Sequence, residues 1–295
     1  MSKFFYYNDL IEREIMSIEW IDILKKAVKF AYNKVNSLLG TLEGAEITNE
    51  KGAGGDITTK IDSIAEQALI DEIKKNNIDF HLISEEIGEK YLGDKKNYDK
   101  CMDYIIMDPI DGSLNANRGI PFCCISVAHA NGPNSRNITE GVILNLYTKD
   151  IYWAIKGKGA YSNNRAISVS KLDDIDRAVI GVALNTSEPF SRVVQRYKPI
   201  IDEVYKVRTM GSVALELCQV AEGALDLFID VRGTLRILDC AAGILIVQEA
   251  GGTIFSNEGL PLELPLKIKS KCSIIASNRN LAEYIKNNLS KLNKL

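Results

Sequence analysis

Tyr104-Ile105-Ile106-Met107-Asp108-Pro109-Ile110-Asp111-Gly112-Ser113 is the stretch on which the reading of this chain turns. An apolar run stops at two aspartates three residues apart, and a glycine and a hydroxyl follow. The pattern predicts a buried strand whose C-terminal end brings two carboxylates and a serine to one place. Pro109 fixes φ and has no N–H to satisfy, so a sharp turn is expected between the two acids. Gly112 lets the backbone approach a ligand closely, leaving main-chain N–H groups available for an anion. Two hard carboxylates beside such donors suit Mg²⁺ and phosphate. The same letters also make a good structural turn, so the rest of the chain has to decide. An EF-hand loop is excluded, because its third and fifth positions would be Ile110 and Gly112.

The 295 residues suffice for a large core, in one big domain or two moderate ones. Hydrophobic content of 46% and charged content of 25% are those of an ordinary globular protein. A net charge of −3 gives no general attraction to nucleic acid or to an anionic membrane. No apolar run reaches the ~18 residues of a membrane span, and the first 20 residues carry charges throughout, so a cytoplasmic protein without a secretory signal is expected. Six cysteines (Cys101, Cys123, Cys124, Cys218, Cys240, Cys272) show no C-x-x-C pairing, and only His81 and His129 could join them. They read as reduced, partly buried thiols rather than as a zinc site.

Residues 1–15 have no clear period and read as an extension. A helix is predicted over 17–39 from the stripe Ile21, Leu24, Val28, Ala31, Val35 and Leu38, with Gly40 ending it. Residues 41–55, closing on Lys51-Gly52-Ala53-Gly54-Gly55, read as a mobile loop without a dinucleotide fingerprint. A second helix is predicted over 59–75, with Asp62 in its first turn, where the helix dipole already favours an acid. A strand at 80–83 leads to Ser84-Glu85-Glu86, which alone resembles a solvated loop. Further strand-like runs make 80–170 look like one large, mostly antiparallel sheet with helices against it. Beyond 170, strands and helices alternate. Leu238-Asp239-Cys240-Ala241-Ala242-Gly243 opens a helix there, with Asp239 read as its N-cap and small residues allowing close packing or close ligand approach.

Four acidic stations thus follow ends of secondary structure: Asp62, Glu85, the Asp108/Asp111 pair and Asp239. Here the sequence resembles the inositol monophosphatase superfamily of Mg²⁺-dependent, Li⁺-sensitive phosphatases. Asp-Pro-Ile-Asp-Gly-Ser (108–113) is similar to its signature, and Leu-Asp-Cys-Ala-Ala-Gly (238–243) to its later motif. Lys51-x-x-x-x-Asp56-Ile57-Thr58 leading to Asp62, then Ser84-Glu85-Glu86, match in order upstream. The resemblance spans roughly 17–290. It implies an α+β fold, the layered αβαβα sandwich, as an N-terminal lobe (1–170) and a C-terminal lobe (171–295) with the active site between them. It also implies a homodimer.

Residue by residue, the resemblance assigns two to three Mg²⁺ ions to Glu85, Asp108, Asp111, Asp239 and the Ile110 carbonyl. Ser113, bonded to Asp62 and assisted by Glu85, would orient and deprotonate the attacking water, with no phosphoenzyme. Gly112 and Ser113 N–H groups would hold the phosphate, and Lys51 would close a mobile loop. Arg208, Gly211 and Ser212 match the segment that meets the sugar ring. Ser113 stands where Thr is commoner. Arg232 stands where inositol-preferring members carry an acid, and it could bind a second phosphate; Arg208 and Arg232 read equally well as surface ion-pair formers. The resemblance is to the archaeal branch hydrolysing both inositol 1-phosphate and fructose 1,6-bisphosphate. The rivals are a 3′(2′),5′-bisphosphate nucleotidase of the same superfamily and a non-catalytic metal- or phosphate-binding regulator. A haloacid-dehalogenase-type phosphatase is disfavoured, because the motif lacks Asp-x-Asp.

Overall fold

The computed structural model describes residues 19–184 and 189–292, so the proposed extension at 1–15 lies outside the described residues. The first helix, α1 (Trp20–Val35), buries Ile21, Leu24, Val28, Ala31 and Val35 on one side. A single 3₁₀ turn, Asn36–Leu38, ends it before Gly40, which adopts φ +69°. The Gly-rich segment that follows is not an irregular loop. It forms an antiparallel hairpin of β1 (Ile47–Lys51) and β2 (Ile57–Thr59) leading straight into α2 (Lys60–Lys74).

Eight strands make the large sheet: β3 (Phe80–Ser84), β4 (Gly88–Leu92), β5 (Tyr104–Asp111), β6 (Cys124–Ala130), β7 (Ile138–Asn145), β8 (Ile151–Ile155), β9 (Ala160–Ser162) and β10 (Arg165–Ala166). Their order is β10-β9-β8-β7-β6-β5-β3-β4, antiparallel except where β3 lies parallel to β5. The expected mostly antiparallel sheet is therefore present. One of its edge strands, β4, escapes a sequence reading because in Gly88-Glu89-Lys90-Tyr91-Leu92 the charged pair is exposed and the two apolar side chains are only half-buried.

The second sheet is mixed rather than regularly alternating. It comprises β11 (Val179–Val182), β12 (Lys206–Arg208), β13 (Leu227–Arg236), β14 (Thr253–Phe255) and β15 (Lys271–Ser277), in the order β12-β11-β13-β15-β14. Strand β11 runs parallel to β12 and β13, and β15 is antiparallel to its neighbours. Helices α4 (Phe190–Ile201), α5 (Val213–Ala221), α6 (Ile237–Glu249) and α7 (Arg279–Leu292) complete this half, after the one-and-a-half-turn α3 (Ser113–Arg118) of the first.

Alternation along β5 explains the layering. Ile105 and Met107 face α1 and α2, packing with Leu24, Leu69 and Val127. Ile106 faces the other way, into a core with Ala128, Ile143, Leu217 of α5 and Ile244 of α6. That same core takes in Phe228 and Ile274 from the near face of the second sheet. The far face, with Ile180, Leu227 and Ile275, is covered by Tyr197 of α4 and Ile285 of α7. The result is the expected five layers, helix–sheet–helix–sheet–helix.

The middle layer, α5 and α6, is wedged between two sheets, which is why α6 is buried from Ile237 to Val247 without a polar face. Its small residues serve packing rather than ligand approach. A Cβ on Gly141 of β7 would stand 2.9 Å from the Ala242 carbonyl oxygen, and one on Gly243 would stand 2.5 Å from Leu217 Cδ1. All six cysteines are free thiols, five of them buried.

Candidate active site

Strand β5 carries Asp108 and Asp111 to the seam between the two sheets. The chain does not turn sharply between them, as Pro109 leads one to expect. It continues as strand through Asp111, and the register against β6 slips between the two acids. This bulge, at a point where Pro109 has no N–H for the ladder, sets the two carboxylates to their separate tasks. The turn comes one residue later, at Gly112, with φ +87°. A Cβ there would lie 3.1 Å from both the Gly211 and Phe122 carbonyl oxygens. Gly112→Ala is accordingly expected to cost about 1–3 kcal/mol from left-handed strain and crowding, read as a drop in thermal unfolding temperature.

Three acids from three elements converge beside this turn. One carboxylate oxygen each from Glu85, Asp108 and Asp239 lies within 4.8 Å of the others, and all three residues are buried. Asp108 takes one hydrogen bond from the Ile110 N–H through Oδ1, at 3.1 Å. Asp111 is oriented differently. Its Oδ2 accepts from Ser212 Oγ (2.7 Å) and from the Ala214 N–H (2.6 Å), so it clamps the first turn of α5. Ser212 is fully buried in that role, and it does not line the cleft as a sugar-contacting residue would.

Asp62 and Asp239 are both third residues of their helices. Asp239 is therefore not the N-cap that the sequence suggests: Arg236 caps α6, and Asp239 Oδ2 accepts from the Arg236 N–H at 3.3 Å. Asp62 closes the equivalent box on α2, where Oδ2 accepts from the Thr59 N–H at 2.9 Å and from the Thr59 hydroxyl. The other oxygen of Asp62 faces the site and accepts from Ser113 Oγ at 2.9 Å. Dipole compensation and a site role thus coexist in one carboxylate. Ser113 Oγ is also 2.8 Å from the Ile110 carbonyl oxygen, so a single hydroxyl proton is placed between two acceptors.

Burial raises every one of these acids. It pushes Glu85 to about 7, with Asp239 adding to the shift and Arg236 opposing it. Burial likewise lifts Asp111 to about 7, helped by repulsion from Asp239. Asp108 is raised by burial and then by Glu85 and Asp111. Asp62 is raised by burial against the hydrogen bonds from Thr59 and Ser113. A cluster of hard oxygen donors whose charges are this poorly tolerated fits a divalent cation: opposite charge would relieve the cost, and carboxylates are the ligands such ions prefer.

The site opens into a cleft of about 590 Å³, lined on one side by Gly54, Asp56, Glu85 and Ser113, and on the other by Thr209, Gly211, Arg232, Thr234 and Lys271. Arg232 is held by the fully buried Asp230, with Nε to Oδ1 at 2.9 Å and Nη2 to Oδ2 at 2.5 Å. Arg208 is on the edge strand β12, exposed and outside the cleft lining, with Nη1 on the Val207 carbonyl oxygen at 3.0 Å. Lys51 ends β1, exposed, and also does not line the cleft.

Two residues that sequence reasoning passed over belong here. Glu216 of α5 lines the cleft although only 1% exposed, and burial pushes it up to about 8. On an apolar helix of ordinary period it gave no signal. Arg236 does leave one: it stands three residues before Asp239 at a helix start. Its guanidinium donates to Glu85 Oε1 at 2.6 Å, to Asp239 Oδ1 at 2.9 Å and to Asp56 Oδ2 at 3.0 Å.

Two stacked sheets with a helical layer between them, and buried acids at their seam, define a sugar-phosphatase architecture. The sequence profile of the Inositol monophosphatase family matches residues 18–294. The fructose-1,6-bisphosphatase/inositol-1-monophosphatase of Methanothermobacter thermautotrophicus is 36% identical, over 90% of this chain and 95% of its own. The bifunctional NADP phosphatase/NAD kinase of Methanococcus maripaludis is also 36% identical, over 88% of this chain but 48% of its own length. Among solved structures, the extragenic suppressor protein suhB from Bartonella henselae superposes with a TM-score of 0.79 at 28% identity, covering 94% of this chain and 99% of that one. This chain belongs to the inositol monophosphatase family, whose members are metal-dependent phosphatases. Among the described residues, no helix is long and apolar enough to cross a membrane.

Proposed function

We propose that this enzyme is a Mg²⁺-dependent phosphomonoesterase that hydrolyses inositol 1-phosphate, fructose 1,6-bisphosphate or both by direct attack of water. The observation that carries the reading is the convergence of Glu85, Asp108 and Asp239 beside the Asp62–Ser113 pair. In this reading Glu85, Asp108, Asp111, Asp239 and the Ile110 carbonyl hold two to three Mg²⁺ ions. Bound Mg²⁺ supplies charge neutralisation at the phosphate and acidifies water.

The chain's own groups do the rest. Ser113 Oγ orients the attacking water, and Asp62, whose carboxyl burial raises against the hydrogen bonds from Thr59 and Ser113, receives its proton through the hydroxyl. The water oxygen bonds to phosphorus as the ester P–O bond breaks, and the departing alkoxide takes up a proton from solvent water, Asp62 later returning its own to solvent. The N–H groups of Gly112 and Ser113 face the phosphate oxygens at the head of α3. Arg232, fixed by Asp230 and lining the far wall with Lys271, takes a second phosphate on the same substrate. Arg208 and Lys51 reach a ligand only by moving from the positions described above. By family resemblance the enzyme is a homodimer, which light scattering of the purified chain checks.

A second reading is favoured by one finding, since a relative of equal identity is named for an NADP phosphatase activity. The deciding experiment is phosphate release from inositol 1-phosphate, fructose 1,6-bisphosphate, NADP and 3′-phosphoadenosine 5′-phosphate, each with MgCl₂ and with chelator. Release from none of them overturns the enzymatic reading in favour of a binding protein.

The raised acids also predict a pH dependence. Because Glu85 and Asp111 titrate near 7 when folded and near 4 when unfolded, the native state holds more protons across that window. Stability of the metal-free protein therefore falls as pH rises from about 4 to 7. Its unfolding temperature in chelator should be several degrees lower at pH 8 than at pH 6, and saturating MgCl₂ at pH 8 should remove most of that loss. A temperature that rises with pH in chelator contradicts the argument.

A further inference from the structure

Arg236 lies where the proposed metal ligands meet. Its Nη1 donates to Glu85 Oε1 at 2.6 Å, and Nη2 donates to Asp239 Oδ1 at 2.9 Å; Nε is 3.1 Å from each Asp239 oxygen. The same Nη1 reaches Asp56 Oδ2 at 3.0 Å, on the turn that joins β1 to β2. One planar cation therefore ties three acidic residues from three segments: the hairpin turn, the end of β3 and the first turn of α6. Above it, a Cβ on Gly54 would stand 2.6 Å from Nη1, so the hairpin turn lies directly on the guanidinium. The turn is further docked by the Ala53 N–H on the Glu86 carbonyl oxygen (3.1 Å) and the Gly54 N–H on the Glu85 carbonyl oxygen (2.8 Å).

Mg²⁺ coordinates oxygen ligands at about 2.0–2.1 Å and needs their lone pairs. Asp239 has both oxygens on Arg236 and cannot turn them to an ion while keeping these contacts, and Glu85 Oε1 is held at 2.6 Å by the same cation, whose charge opposes a second one beside it. We propose that Arg236 is an internal stand-in for the metal: it holds Glu85, Asp239 and the 51–56 turn together in the metal-free protein, and it must withdraw when a divalent cation binds. This rests on the assignment of Glu85 and Asp239 as metal ligands. A purely structural role, as N-cap of α6 and support for those ligands, predicts the opposite sign, since removing a support weakens ion binding.

The test is calorimetric titration of MgCl₂ into the full chain without substrate, with hydrogen exchange of the 51–56 amides in chelator. Arg236→Gln should bind Mg²⁺ about tenfold tighter than wild type, because a fixed positive charge and its competing bonds are gone. In chelator its Ala53 and Gly54 amides should exchange faster. Arg236→Lys, which keeps the charge but cannot bridge both acids with one planar group, should bind about threefold tighter. If Arg236→Gln does not fold by circular dichroism, the Lys variant decides. Affinity unchanged or weaker in the folded variants overturns the role of Arg236 alone. A wild-type chain that takes up no Mg²⁺ overturns that role together with the metal reading of the site.

Discussion

Asp111→Asn is expected to lower phosphate release by about 10³-fold or more while leaving the fold intact. The asymmetry of Asp111 is the reason. Its Oδ2 accepts from Ser212 Oγ and the Ala214 N–H, and an Asn side chain can present its carbonyl oxygen to both donors. The clamp on α5 therefore survives. What changes is the other oxygen, which becomes an amide nitrogen with no charge and no lone pair for a cation. Burial and Asp239 hold the Asp111 carboxyl up near 7, so its neutral replacement should unfold in chelator at a temperature no lower than wild type. Initial rates with and without MgCl₂, paired with thermal unfolding in chelator, check both halves. Wild-type turnover would remove Asp111 from the reaction.

The second large effect is at Ser113. Ser113→Ala should lose about 10²–10³-fold in kcat with little change in KM, the range of a lost general-base contact. The hydroxyl connects to Asp62 at 2.9 Å and to the Ile110 carbonyl oxygen at 2.8 Å, and a methyl group reaches neither with a proton. Ser113→Thr should restore most of the rate, since it returns the hydroxyl to the start of the same short helix. A Thr variant as impaired as the Ala variant would show that the hydroxyl is not what matters. Asp62→Asn should resemble Ser113→Ala in turnover, and in addition should loosen α2 through the contacts with Thr59.

The acids of the site were legible because each one interrupts an apolar pattern at the end of an element. Asp108 and Asp111 end a run of strand letters, Glu85 ends another, and Asp62 and Asp239 open amphipathic or apolar helices. The apolar runs pointed to one large, mostly antiparallel sheet with helices against it, and the five-layer stacking came only with the family resemblance. Short edge strands were not legible, since β4 and β12 bury too little to impose a period. Pro109 misled for a physical reason: a bulge satisfies its missing donor as well as a turn does, and only the ladder with β6 decides between them. Arg236 and Glu216 were passed over because a charged residue on or beside a helix is usually solvated, and only the tertiary seam desolvates these two. Asp230, which fixes Arg232 from within the sheet, was likewise visible only once β13 and its neighbours were assembled.

The boxes that Asp62 and Asp239 close on their own helices also limit how this site can evolve. Asp62 satisfies the Thr59 N–H with one oxygen and takes Ser113 Oγ on the other, and Asp239 satisfies the Arg236 N–H with Oδ2 while Oδ1 takes the guanidinium. A histidine or cysteine in either place would suit a softer ion, yet neither can accept from the helix amide in the same geometry, and the loss of a cap costs about 1 kcal/mol. Three of the five acidic positions are thus committed to oxygen chemistry by the helices themselves, since Asp111 also accepts from a helix amide, that of Ala214. Drift in ion preference is left to Glu85 and Asp108, and drift in substrate to the opposite wall.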